Sequence, residues 1–259
     1  MTPGRHRRDL RILLLQIRDL QAVRVEEHRS FAAQAGLDLD QIDVLNVFDT
    51  PRFAPDVADG YDALFVGGAS EASVLEPERY PFVPCARDLL LHVRDTAQPV
   101  FASCFGFQLA VVAFGGRIVR DADDFEMGTV PIRLRADARD DPILGDAPDP
   151  FLAVSVHRER STRPPPGCLE LAYTDACCHV FRVVERPFWA FQFHPEVDRA
   201  TLVERLTHFK DHYTEGDEHL ARVLRAARET PESNRLVTKF VDRVLLGRSP
   251  GPSSDRGAV

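Results

Sequence analysis

No stretch of this 259-residue sequence offers the roughly 18 uninterrupted apolar residues that a membrane-crossing helix needs. Its basic start, Arg5 to Arg8, leads only into a short apolar segment that charge interrupts, which argues against a secretory signal. Positive charge is short overall: 32 Lys and Arg face 40 Asp and Glu, for a net charge of -8 and an isoelectric point near 5.6. Nucleic acid, which is held by clustered cations, is therefore not an expected partner. Cysteine is scarce and unframed. The five residues are odd in number, and the adjacent Cys177-Cys178 lack a second pair. Neither a disulfide scaffold nor a metal site is expected, and a reducing, cytoplasmic setting is. The glycine pair Gly67-Gly68 lacks the third glycine of a dinucleotide-binding turn and does not follow the first strand. No internal repeat is present.

What is there is enough apolar material, 44% of residues, to fill the core of one sizeable α/β domain. Leu10 to Ile17 reads as a fully buried first strand and Gln21 to Ala35 as a helix closed by Gly36. Gln41 to Val47 is a second strand. Ala63 to Val66 is a third, ending at a Gly67-Gly68 loop. Buried strands alternating with helices are the pattern of a parallel sheet covered on both faces, whose sites lie at the carboxyl ends of its strands. Beyond Gly116 the chain turns richer in strands: Thr129 to Leu134, Phe151 to Val156, Leu169 to Thr174, His179 to Val184 and Phe188 to Phe193. Asp121 to Glu126 reads as a solvated acidic loop, with metal coordination the lesser reading. Val197 to Tyr213, Glu218 to Arg228 and Asn234 to Leu246 have helical spacing.

Two segments carry chemistry. In Pro99 to Gly116, the strand-like Val100-Phe101-Ala102 meets a helix-compatible run from Gln108, with Cys104 between them and small residues at Ala102 and Gly106. A nucleophile on such a strained strand-to-helix turn needs small neighbours, and the helix start favours its thiolate. Taken alone, a cysteine on an apolar segment is more often a small buried hydrophobe. The second segment changes that balance. Phe188 to Phe193 runs into His194-Pro195-Glu196, where proline stops the strand and a carboxylate two residues on can orient the imidazole.

Ser-Cys-Phe-Gly-Phe-Gln at 103–108, followed by Phe-Gln-Phe-His-Pro-Glu at 191–196, resembles the class I glutamine amidotransferases, with their G-x-C-x-G-x-Q elbow and later H-P-E. The likeness spans roughly 10–212, and Ala102 departs from it where the family has glycine. It implies a flavodoxin-like, doubly wound, mostly parallel sheet with extra antiparallel strands and a C-terminal helical extension. It also implies Cys104 as nucleophile, His194 as base, Glu196 as its orienter and Gln108 as a contact to bound glutamine. Backbone N–H groups of Phe105 and of Gly67 or Gly68 would form an oxyanion hole. His157, at the end of VSVHRE, is expected in the substrate channel or as a structural residue. Ser70 and Glu71 could position substrate, although solvated loop residues are the plainer reading.

The domain plan is then a flexible leader at 1–9, the amidotransferase-like domain at 10–213, a helical extension at 214–247 and a disordered tail at 248–259. No cofactor is implied. The substrate would be glutamine or another γ-glutamyl amide, and ammonia would pass to a separate synthetase partner. A stand-alone γ-glutamyl hydrolase using the same triad, and a non-catalytic chaperone-like relative with an elbow cysteine, are the alternatives. Oligomeric state is not legible.

Overall fold

The computed structural model describes residues 5–120, 126–208 and 217–249. Among them nine strands form one sheet, built outward from the continuous apolar run β1 (Ile12–Ile17), every residue of which is buried. β2 (Ile42–Asn46) and β3 (Ala63–Ala69) flank β1 in parallel, β4 (Val100–Ser103) follows β3, and β11 (Phe188–Phe191) follows β4, all parallel. From β11 outward the sheet turns antiparallel through β10 (Cys178–Val183), β9 (Cys168–Tyr173), β6 (Glu126–Leu134) and β7 (Phe151–His157). A two-stranded ribbon joins β5 (Val119–Arg120) to β8 (Glu159–Arg160). This is the expected flavodoxin-like architecture with extra antiparallel strands.

Strand alternation divides the core in two. Leu13, Leu15, Leu64, Val66, Val100, Ala102, Phe188 and Ala190 face one layer, covered by α2 (Phe82–Asp95) and α3 (Phe105–Ala113). Ile12, Leu14, Phe65, Phe101, Trp189 and Phe191 face the other, covered by α1 (Gln21–Ala35). The last helix, α6 (Pro231–Lys239), widens into a π-helical turn at Phe240–Leu245 and joins α1 on that face. Two shorter helices, α4 (Arg199–His208) and α5 (Asp217–Ala226), cover β7 with a smaller apolar cluster. No helix among the described residues is long and apolar enough to cross a membrane.

Several boundaries differ from expectation. β3 runs on through Gly67 and Gly68 to Ala69, because Ile17 of β1 pairs with Ala69 across a bulge. Glu126 belongs to β6 and pairs with His157 of β7 rather than ending a solvated loop; Asp121 to Phe125 lie outside the described residues. Residues 5–9 are tied down: Arg5 is paired with Asp62, and Arg7 donates to the Ala35 carbonyl and, at 2.7 Å, to Asp242. Within the expected tail, Arg248 pairs with Asp242, and residues 250–259 lie outside the described residues.

Phe240 touches Phe65, Phe101 and Trp189, with ring centroids 5.5 to 6.0 Å apart, so the C-terminal helix closes the core. Replacing this fully buried ring in Phe240→Ala is expected to cost about 3–5 kcal/mol of stability in a denaturant titration. A cost below about 1 kcal/mol would mean that the C-terminal segment is an appendage.

Candidate active site

The elbow forms because β4 ends at Ser103 and α3 begins at Phe105, leaving Cys104 alone to turn the chain. Its φ of 50° and ψ of −99° lie where a non-glycine residue is strained, and such strain persists only when neighbours hold it. They do. The Cys104 amide donates to the Phe191 carbonyl of β11 at 2.7 Å, and the Cys104 carbonyl accepts the Gln108 amide at 3.1 Å. A Cβ on Gly106 would lie 2.9 Å from the Val66 backbone oxygen and side chain, so only glycine fits beneath the turn. Phe105 opens α3, where amides have no partner within the helix.

Because β11 runs parallel beside β4, with Phe191 opposite Ser103, the residues just past both strand ends come together. His194 and Cys104 are both nearly buried, 4% and 5% exposed, and the imidazole feels the cysteine side chain electrostatically, while the Cys104 sulfur lies 3.9 Å from the Val156 carbonyl. On its other side, His194 Nδ1 lies 2.7 Å from Glu196 Oε1, and Glu196 is wholly buried. Burial opposes a charged imidazole. Interaction with Cys104 and then with the Glu196 carboxylate outweighs it, and His194 is pushed up to about 9 from its ordinary 6.5. Glu196 is lowered: burial again opposes, and the neighbouring imidazole prevails.

The turn that carries these residues is held from outside. The His194 amide donates to the Val154 carbonyl of β7 at 2.8 Å, and Asn234 of α6 donates to the Pro195 and Val197 carbonyls at 2.8 and 2.9 Å.

Cys104 opens into a cavity of about 330 Å³, small but within the range of about 300–1,000 Å³ for small-molecule sites. Its wall includes Phe105, Gln108, His157, Ser70 and Glu71. Gln108 Nε2 donates to the Glu159 carbonyl at 2.9 Å, which fixes its side chain against the wall. His157 turns its Nε2 to Glu126, 3.0 Å away. His194 stands behind the thiol, in a crevice with Arg18, Ala69 and Val156.

The two glycines are not placed as expected. Neither lines the cavity, where β3 instead presents Ala69 and Ser70, and the Gly68 amide donates to Glu27 Oε1 at 3.2 Å. Their lack of a side chain serves packing. A Cβ on Gly67 would lie 2.7 Å from Glu27 Oε1, and one on Gly68 2.7 Å from Arg18 Nη2 and 2.8 Å from His194 Cε1. The pair therefore makes room for the imidazole and for a buried ion pair, Arg18 Nε to Glu27 Oε1 at 2.8 Å. Residues passed over in the sequence also line the cavity: Arg120, Arg158, Glu159 and Ser73. Glu159 Oε1 accepts from Ser73 Oγ at 2.6 Å and from Arg120 Nη2 at 2.6 Å. The adjacency of Arg158 and Glu159 to His157 was the available signal, and pairing with β5 sets Glu159 opposite Arg120.

Residues 42–209 match the family described as glutamine amidotransferase class-I. The chain belongs to that family. A glutamine-hydrolysing GMP synthase subunit from Methanocaldococcus jannaschii is 28% identical over 119 residues, covering 45% of this chain and 61% of the relative. Its counterpart from Methanococcus vannielii is 33% identical over 104 residues, covering 39% of this chain and 52% of the relative. The matched spans thus reach little more than half the length of these relatives. In structure, the chain is similar to a glutamine amidotransferase from Thermotoga maritima, with a TM-score of 0.72, 17% identity and coverage of 91% of this chain and 98% of that one. A glutamine amidotransferase from Methylobacillus flagellatus gives 0.69, 18% identity and coverage of 96% and 100%. At these identities the likeness establishes the fold, the one described for this amidotransferase.

The charge balance around His194 has a direct readout. Its imidazole is expected to titrate with a midpoint near 9 by nitrogen NMR, and both Glu196→Gln and Cys104→Ala should lower that midpoint, each removing a negative neighbour. A midpoint at or below the ordinary 6.5 would contradict the arrangement.

Proposed function

We propose that this protein hydrolyses the side-chain amide of glutamine and delivers the ammonia to a separate synthetase partner. What supports the reading is the His194–Glu196 pair just past β11, beside the Cys104 turn just past β4 and next to a half-open cavity, in an amidotransferase fold. The Cys104 thiolate attacks the side-chain carbonyl carbon of glutamine, forming a C–S bond and a tetrahedral oxyanion. The Phe105 amide, at the helix start, is aimed to stabilise that oxygen. Gly68 contributes in another way, by seating the imidazole, since its own amide is engaged by Glu27.

As the intermediate collapses, the C–N bond breaks and the His194 imidazolium gives its proton to the departing ammonia, leaving a γ-glutamyl thioester. Neutral His194 then takes a proton from water, whose oxygen attacks the thioester; the C–S bond breaks, and glutamate leaves with thiolate and imidazolium restored. Glu196 holds the ring and favours its charged form in both halves. At the cavity wall, Glu159 suits the substrate's α-ammonium group, and Arg120 and Arg158 suit its α-carboxylate, while Gln108 and His157 shape the floor. A partner that consumes ammonia is supported by the relatives, which are named as subunits of glutamine-hydrolysing GMP synthases.

An electrophilic glutamine analogue should label Cys104 alone, and Cys104→Ala should lower ammonia and glutamate release by about 10³-fold or more with the fold intact. Label on another cysteine, or turnover retained in the variant, would reject the nucleophile. Activity confined to other γ-glutamyl conjugates in a substrate panel would replace the glutaminase with a γ-glutamyl hydrolase.

A further inference from the structure

Across the cavity wall from Cys104, the antiparallel half of the sheet contains a second cluster, of which only His157 reaches the cavity. β6 pairs with β7 from Glu126 to Ile132, but its ladder with β9 is limited to Arg133 and Leu134. At the open end of that seam, Glu126 of β6, His157 of β7, Cys177 of the β9–β10 turn and His179 of β10 point at one another. Their ligand atoms all lie within 4.8 Å of one another. Glu126 Oε2 is 3.0 Å from His157 Nε2, 2.7 Å from His179 Nε2 and 3.8 Å from Cys177 Sγ. The two imidazoles and the thiol are nearly or wholly buried.

Two details suit a shared central ion better than a closed polar network. His179 Nε2 is close to Glu126 yet makes no aligned hydrogen bond, which is how two ligands sit when both face a common third atom. The Cys177 sulfur faces the same Glu126 oxygen as both imidazoles, at 3.8 Å.

We propose that Glu126, His157, Cys177 and His179 bind a Zn²⁺ ion. Two imidazoles, one thiolate and one carboxylate make a borderline-soft donor set that suits zinc and is poor for calcium or magnesium. Bonds of about 2.0 Å to nitrogen and oxygen and 2.3 Å to sulfur place tetrahedral neighbours about 3.3–3.5 Å apart. The pairs at 2.7, 3.0 and 3.8 Å need move by about 0.3–0.6 Å, and the remaining pairs, all within 4.8 Å, draw in around the ion. Thr174 Oγ1 already donates to the other Glu126 oxygen at 2.8 Å, which orients Oε2 toward the ion. Binding releases the Cys177 proton to solvent. Four protein ligands leave no position for water, so the ion is structural. It clamps the β6–β7 ribbon to the β9–β10 hairpin and thereby fixes the His157 wall of the Cys104 cavity.

The test uses the full chain carrying Cys104→Ala, so that the nucleophile cannot capture the metal, stripped with a chelator and then given Zn²⁺ alone. Equilibrium dialysis should find one ion per chain, with X-ray absorption showing one sulfur and three nitrogen or oxygen ligands. Cys177→Ser and, separately, His179→Gln should each weaken binding by about tenfold or more. Co²⁺ in place of zinc should give tetrahedral bands and a thiolate charge-transfer band that Cys177→Ser abolishes. No stoichiometric binding, a shell without sulfur, or a charge-transfer band that survives Cys177→Ser would overturn the proposal and leave the cluster a hydrogen-bonded network. Because the nucleophile is absent from the tested protein, none of these outcomes bears on the amidotransferase reading.

Discussion

The parallel pairing of β4 with β11 is the constraint on which the site depends. Phe191 lies opposite Ser103, and the Cys104 amide is bonded to the Phe191 carbonyl, so the two chain segments leave the sheet side by side. One segment turns into a helix with a sulfur at its corner. The other is stopped by Pro195 with an imidazole on its rim. A one-residue slip of this register would turn alternate side chains to the opposite core layer, which the division between Ala190 and Phe191 makes costly. The apolar layers thus hold the thiol and imidazole in register more firmly than any direct contact between them could.

Support for the site then comes from remote parts of the chain. Asn234 reaches from the last helix to the carbonyls on either side of Glu196, so the C-terminal segment braces the histidine as well as sealing the core. From the first helix, Glu27 enters the space left by Gly67 and pairs with Arg18, which also donates to Ser70 Oγ at 3.2 Å. This buried pair sets where β3 ends. Beside it, the bare Gly68 gives the imidazole its seat. Removing either charge would leave the other buried without its counterion, a situation that commonly costs several kcal/mol.

The antiparallel half supplies what the parallel half cannot. Parallel strand ends carry Cys104 and His194, but the cavity needs walls, and these come from β7, the β5–β8 ribbon and the residues after β3. His157 faces the cavity from β7 while its Nε2 belongs to the Glu126 cluster, so the same strand connects the two features.

Much of this was legible without coordinates. The burial of Ile12 to Ile17, though not of the exposed Arg11 before it, the helix from Gln21 to Ala35 and the order of elbow and H-P-E follow from local pattern, since apolar runs, a closing glycine and a strand-stopping proline act over a few residues. Glycine and glutamate misled where long-range packing decided. Gly67 and Gly68 read as a loop because a glycine pair usually turns the chain; they stay in a strand because Glu27, Arg18 and His194 fill the space beside them. Glu126 read as the end of a solvated acidic run, yet its strand partner is a buried histidine. The sequence by itself determined most of the strand and helix segments and the family, because these are written in contiguous residues. Only the tertiary structure decided which amides are free, what lines the cavity and which side chains meet at Glu126, because those are set by register and by contacts between segments far apart in the chain.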